Sequence, residues 1–196
     1  MSSLVLIPWA STAWSESGRL AATTQLPLSD GGRAQAAEWG DQLADRVLAR
    51  IYTGDEQTAK ETADVIATGL KAKVKTLAGL EEQDRGLWEG LTESDLENRF
   101  PKAYKRWKAD PALVCPPEGE SVEAVGDRLA RALRTLRRKS ERIAVGVVLG
   151  PVALAVARCA LEGLPLENLR DRMVDSPVWY DNLEEPVPVK SAGTEG

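Results

Sequence analysis

The sequence predicts an α/β fold: a three-layer α/β/α sandwich built on a mostly parallel central sheet. Two observations carry that prediction. Short apolar runs at residues 4–7, 51–53 and 143–149 have the unbroken character of strands buried on both faces, as parallel sheets require. Between them lie longer segments whose apolar residues recur at helical spacing, and strands alternating with helices form parallel sheets covered on both sides. With 196 residues and 43% apolar content the chain can bury one sizeable core. Residues 1–170 are assigned to it, and 171–196 to a partly irregular C-terminal tail.

The first strand, Leu4, Val5, Leu6 and Ile7, ends at Pro8. Pro27, Ser29, Gly31 and Gly32 supply a turn and a helix start, and Ala36, Leu43 and Val47 then share one face of a helix expected at 31–48. After the strand at 51–53, Ala59, Thr62, Ala63, Ile66 and Leu70 recur at helical spacing, and a third strand is expected at 74–77. Residues 82–90 carry glycine and little periodicity and read as a long surface loop. Thr92 with Asp95 has the form of a capping box, and Pro101 starts a further helix bearing Tyr104 and Trp107. Three prolines make 110–120 a connector. From Ser121 onward, Val122, Val125, Leu129, Leu133 and Leu136 form an apolar stripe opposite Arg128, Arg131, Arg134, Arg137 and Arg138. The most hydrophobic strand, 143–149, exits at Gly150-Pro151 into a buried helix at 152–161. Pro177, Pro186 and Pro188 leave the end of the tail irregular.

Charge and cysteine content narrow the function classes. Against 30 acidic side chains stand 25 basic ones, a net charge of −5, which gives no general attraction for nucleic acid or an anionic membrane. Cys115 and Cys159 lie far apart without a Cys-x-x-Cys, so neither a disulfide framework nor a zinc site is expected, and a reducing compartment fits. The amino terminus lacks the features of a signal peptide and no apolar run approaches the ~20 residues that cross a bilayer, so the expected location is cytoplasmic. No cofactor is assigned, and neither a Gly-x-x-x-x-Gly-Lys phosphate loop nor the Gly-x-Ser-x-Gly elbow of a serine nucleophile is present. No metal is assigned either: Glu81, Glu82 and Asp84 lack a defined ligand spacing and read as a solvated acidic loop. In open parallel sheets ligands bind beyond the carboxyl ends of the strands, so the exits at 8–12 and 149–152 are where a site is expected. Fold alone does not say what such a site does.

The motifs around those exits are more specific. Residues 8–15 read Pro-Trp-Ala-Ser-Thr-Ala-Trp-Ser, followed by Gly18-Arg19 and by Pro27-Leu28 through Gln35-Ala36. Residues 53–63 read Thr-Gly-Asp-Glu-Gln-Thr-Ala-Lys-Glu-Thr-Ala, and Leu80 and Glu82 precede Gly86-Leu87-Trp88-Glu89-Gly90-Leu91-Thr92. Pro116 to Ser121 and Val147-Val148-Leu149-Gly150-Pro151 complete the series. This resembles the histidine phosphatase (phosphoglycerate mutase-like) superfamily over about residues 4–165. Its members read Arg-His-Gly-Glu-Thr-x-Trp-Asn after the first strand, Ser-Ser-Asp-x-x-Arg-Ala-x-Gln-Thr-Ala after the second, and Ser-His-Gly after the last. The spacing survives here although the chemistry does not.

In that family one histidine attacks phosphorus, two arginines and a second histidine hold the phosphoryl oxygens, and a glutamate protonates the leaving group. By the resemblance, Trp9 stands at the nucleophile, Pro8 and Thr58 at the arginines and Gly150 at the second histidine; Glu82 alone is retained, and the sequence contains no histidine. Each charge-assisted hydrogen bond to phosphate is worth roughly 1.5–3 kcal/mol, so three lost partners remove several kcal/mol of binding. An indole offers no useful nucleophilicity in exchange. The resemblance therefore implies a pseudoenzyme with a binding, regulatory or scaffolding role, and Trp9, large and apolar, is expected to fill the phosphate's space. An enzyme using Glu82 with Ser11 or Thr12, and a structural component of an oligomer or complex, are the alternatives.

Ser11, Thr12, Arg19 and Glu82 are candidate ligand contacts, with a loop cap as the competing reading of Glu82. Arg128, Arg131, Arg134 and Arg138 are candidates for docking an acidic partner, against the simpler reading of a solvated face. Trp14, Trp88 and Trp107 read as scaffold packing, and Cys159 as core. The expected partner is a protein or a small molecule other than phosphate, with a second copy of the chain as a further candidate.

Overall fold

Five strands form one sheet in the computed structural model, which describes residues 3–45, 47–140 and 143–181. They are β1 (Ser3–Pro8), β2 (Leu48–Thr53), β3 (Lys73–Thr76), β4 (Ala144–Leu149) and β5 (Val178–Asp181), in the spatial order β3-β2-β4-β1-β5. The first four are parallel, and β5 pairs antiparallel with β1 from Ser3–Asp181 to Leu6–Val178. The α-helices of the described residues are α1 (Ala13–Glu16), α2 (Asp30–Gln42), α3 (Gln57–Leu70), α4 (Glu93–Arg99), α5 (Pro101–Ala109), α6 (Val122–Ser140) and α7 (Pro151–Glu162). None is long and apolar enough to cross a membrane.

Alternation along the strands divides the core between the two faces. Val5, Ile7, Ile51 and Val148 meet Ala36 and Trp39 of α2 and Ala63 and Ile66 of α3. Leu4, Leu6, Val145, Val147 and Leu149 meet Leu129 and Leu133 of α6 and Val156 of α7 on the other side. Successive side chains point to opposite faces, so a strand covered on both sides must be apolar at every position; this is why the strands read as unbroken runs. The three-layer sandwich follows. A smaller cluster of Trp88, Leu96 and Val114, backed by Phe100, Tyr104 and Trp107, seats α4 and α5. The expected capping box is present at Thr92, and Pro101 does open α5.

Several boundaries differ from expectation, each for a local reason. Helix α2 stops at Gln42 with Leu43 as its C-cap, and Val47, expected on its apolar face, is 85% exposed because the chain has already turned toward β2. Strand β3 begins one residue early, at Lys73. The stretch 82–90 is not a surface loop throughout: Glu82, Gln83, Arg85 and Trp88 are buried, their positions fixed by polar bonds and one aromatic anchor rather than by any periodicity. Beyond residue 170, β5 adds a fifth strand to the sheet; four residues at an edge are too few to show a pattern. Pro186 and Pro188 lie outside the described residues.

Trp88 is fully buried, with its ring 6.2 Å from Trp107 in an edge-on arrangement and 6.3 Å from Phe100. Trp88→Ala is expected to cost about 3–5 kcal/mol, read as a drop in the urea midpoint. A midpoint within error of the unsubstituted chain would show that the cluster does not anchor α4 and α5.

Candidate functional site

The parallel strands β1 and β4 end side by side, joined by the bond from Trp9 N to Leu149 O at 2.9 Å. Pro8, Trp9 and Gly150 therefore converge at the carboxyl ends of these two central strands. Thr58 lies nearby on the first turn of α3, buried, with its hydroxyl donating to Leu26 O at 2.8 Å. The same turn reaches the β1 exit through Thr62, whose Oγ1 accepts from Ala10 N at 2.9 Å. Thus the five positions singled out by spacing are brought together at the expected strand ends, with Glu82 as the fifth.

Glu82 occupies the centre. Its Oε2 accepts from Val152 N at 3.0 Å and Ala153 N at 3.2 Å, and its Oε1 from Gln83 N at 2.9 Å. The carboxylate sits on the N-terminus of α7, where unpaired N–H groups and the helix dipole favour an anion. Gly150 makes room for it: a Cβ there would overlap Glu82 Oε2 and lie 2.9 Å from both Glu82 Cβ and Cδ. The space next to residue 150 is therefore taken by Glu82. Trp9 does not fill it; its partly buried side chain packs against the α2–α3 core and borders a recess on that side.

The loop that carries Glu82 is held from three directions. Glu56 Oε1 accepts from Glu82 N at 2.5 Å, and Gln83 Nε2 donates to Glu120 O at 2.7 Å. Arg128 of α6 forks onto Glu120, Nε to Oε1 at 2.8 Å and Nη2 to Oε2 at 2.7 Å, and also donates to Glu81 O at 2.5 Å and Glu82 O at 2.9 Å. Arg128 is accordingly a loop clamp rather than part of an outward face. The remaining helix arginines differ: Arg131, Arg134, Arg137 and Arg138 border a surface groove of about 360 Å³.

Two charged residues of the site carried no role in the sequence reading. Glu56 and Arg85 are each only 6% exposed, and Glu56 Oε2 and Arg85 Nε lack hydrogen-bond partners. Desolvation pushes the Glu82 carboxyl above its usual range, opposed by the charge of Arg85 and the donated N–H groups, and reinforced by the charge of Glu56. Desolvation likewise raises Glu56, against the bond from Glu82 N. Burial lowers the Arg85 guanidinium, countered by Glu82 and Glu89. Nothing in a single sequence marks these two residues as buried, since polar loop residues normally face water.

The other candidates are spread around this centre. Thr12 is buried and caps α1, its Oγ1 accepting from Ser15 N at 3.2 Å. Arg19 is exposed and donates to Gly90 O at 2.8 Å, bracing two loops. Ser11 is tied to Gln35 and borders the recess beside Trp9. Trp14 packs on Gly90, where a Cβ would lie 3.1 Å from its ring. Cys159 is buried, as expected of a core thiol. Among the described residues no three His, Cys, Asp or Glu side chains converge as a metal site would require.

The fold and these strand-exit motifs define the class. The family description "Histidine phosphatase superfamily (branch 1)" matches residues 4–180, so the chain belongs to that superfamily, and the match extends past residue 165 to include β5. It is 28% identical over 168 residues to phosphoserine phosphatase 1 of Hydrogenobacter thermophilus, covering 86% of this chain and 80% of that one. Glucosyl-3-phosphoglycerate phosphatase of Mycolicibacterium vanbaalenii is 31% identical over 173 residues, covering 84% and 76%. Among solved structures, Bacillus stearothermophilus YhfR superposes with a TM-score of 0.87 at 26% identity, covering 98% of this chain and 97% of that one.

The overlap at Gly150 predicts coupling. Gly150→Ala should destabilise the chain, and less so in a Glu82→Ala background, with a coupling of about 1 kcal/mol or more in a double-mutant cycle by urea denaturation. Additive effects would mean that Glu82 does not occupy that space. The raised carboxyls predict a pH dependence. From the ordinary value of 4.5 up to their raised folded values, the unfolded chain releases protons that the folded chain keeps. Stability should therefore fall as pH rises through that window, and Glu56→Gln should flatten the fall. An unchanged slope would contradict the assignment.

Proposed function

We propose that this chain is a non-catalytic member of its superfamily that acts by binding. The observation that carries the reading is the Glu82 carboxylate on the N-terminus of α7, in the space beside Gly150 where the family frame puts a phosphate-holding histidine. A phosphoryl group entering there would meet an internal anion already bonded to the donors it needs. The chain supplies no histidine to carry a phosphoryl group. The relatives named as phosphatases argue for the family reaction, but the histidine that reaction needs is absent from the sequence. A Glu82 mechanism is weaker on the geometry. Its raised carboxyl is suited to a general acid, yet the Thr12 hydroxyl caps α1 and the Ser11 hydroxyl is bonded to Gln35.

One surface supports an assembly role as a second reading. Arg131, Arg134 and Arg138 have no ion-pair partner among the described residues and share a groove on α6 in a chain of net charge −5. An acidic segment of a protein partner, or of a second copy, suits it.

The deciding assay is hydrolysis of an aryl phosphate beside thermal-shift titration with inorganic phosphate and vanadate. Neither turnover nor a shift is expected. Turnover proportional to protein concentration and abolished by Glu82→Gln would refute the non-catalytic reading.

A further inference from the structure

We propose that the recess between Trp9 and Trp39 binds a small organic cation with an apolar body, such as a protonated or quaternary aryl amine. The proposal rests on the non-catalytic reading, because it gives the altered strand exit a ligand opposite in charge to phosphate.

The recess has a volume of about 180 Å³ and lies between the β1 exit, α2 and the start of α7. Pro8, Trp9, Trp39, Pro151 and Val174 give it apolar walls. A cavity of roughly 150 Å³ with such walls accepts benzene, so the space suits a body of that size.

The polar rim decides the sign of charge. Asp175 is the single charged residue on the lining, and no lysine or arginine borders it. Ser11 Oγ donates to Gln35 Oε1 at 3.2 Å, and Ser15 Oγ donates to Thr12 O at 2.9 Å. Both hydroxyl hydrogens are thus committed, and the serines offer the recess lone pairs alone. The adjacent helix end offers an anion nothing either: Pro151 has no N–H, and the next two N–H groups are held by Glu82. Trp9, only partly buried, offers the recess an indole, the aromatic surface that attracts a cation most strongly, while Trp39, 4% exposed, contributes an apolar wall. Asp175 and the serine lone pairs therefore favour positive charge, with the Gln35 amide N–H groups as the opposing donors on the rim.

The test is titration of the full chain with phenyltrimethylammonium, followed by tryptophan fluorescence and calorimetry. Tert-butylbenzene is the neutral isostere and phenyl phosphate the anionic comparator. Saturable binding is expected, roughly tenfold tighter for the cation than for the isostere. Trp9→Leu should weaken it by about tenfold, and Asp175→Asn, an exposed position with little bearing on folding, by roughly two- to fivefold. No saturable response, equal affinity for the isostere, preference for phenyl phosphate, or binding unchanged by Asp175→Asn would each overturn the proposal. These outcomes are independent of the aryl phosphate assay: failure of the titration leaves the non-catalytic reading intact, whereas turnover defeats that reading directly.

Discussion

The constraint on which this site depends is the bond between the Glu82 carboxylate and the first N–H groups of α7. A helix N-terminus that is buried must have its donors satisfied, because each unpaired N–H carries a desolvation penalty of about 1–3 kcal/mol. In α7 the N-cap is Gly150, which has no side chain to contribute, and Pro151 removes one donor from the problem. Glu82, arriving from a loop 70 residues earlier in sequence, accepts from the next two. The rest of the arrangement follows from holding that carboxylate in place: Gly150 must lack a Cβ, Arg128 must bind the consecutive carbonyls of Glu81 and Glu82, and Gln83 must reach Glu120.

Burying this group has an electrostatic consequence. Glu56, Glu82 and Arg85 put two carboxyls and one guanidinium into a region nearly free of solvent. Buried charge is tolerated when it is paired and costly when it is not. Arg85 compensates one carboxylate, and desolvation makes the second hold its proton more tightly, so the upward direction of both carboxyls is what near-neutrality of the cluster requires. Arg85 Nε and Glu56 Oε2 have no hydrogen-bond partner in this cluster.

The fold was legible because its strands are covered on both faces and its longest helix is covered on one. Leu4 to Ile7 and Val145 to Leu149 alternate between two apolar layers, and the stripe from Val122 to Leu136 is the imprint of a helix on a sheet. Motif spacing singled out Pro8, Trp9, Thr58, Glu82 and Gly150, and these gather at the strand exits because such spacing reflects strand and helix lengths. Less could be read of what fills the site. Trp9 packs toward α2, and the space beside Gly150 is taken by the Glu82 carboxylate, held there by three donors. Glu56 and Arg85 gave no signal, since a buried charge is specified by partners distant in sequence. Strand β5 is only four residues long and lies at an edge, where periodicity has no room to develop.

The two sides of the β1 exit are consequently different chemical environments. Toward α7, a glycine has opened space that an internal anion closes, so that the helix end no longer offers free N–H groups. Toward α2, Pro8 and Trp9 face Trp39 across a space that stays open. A histidine introduced at Gly150 would collide with Glu82, and one introduced at Trp9 would face the apolar α2–α3 core. Residues 82 and 150 are therefore interdependent: with Glu82 seated on α7, the space at Gly150 admits no side chain, and with Gly150 lacking one, the carboxylate of Glu82 is what satisfies the helix. That mutual dependence is a property of packing and hydrogen bonding, and it holds whichever ligand the open side receives.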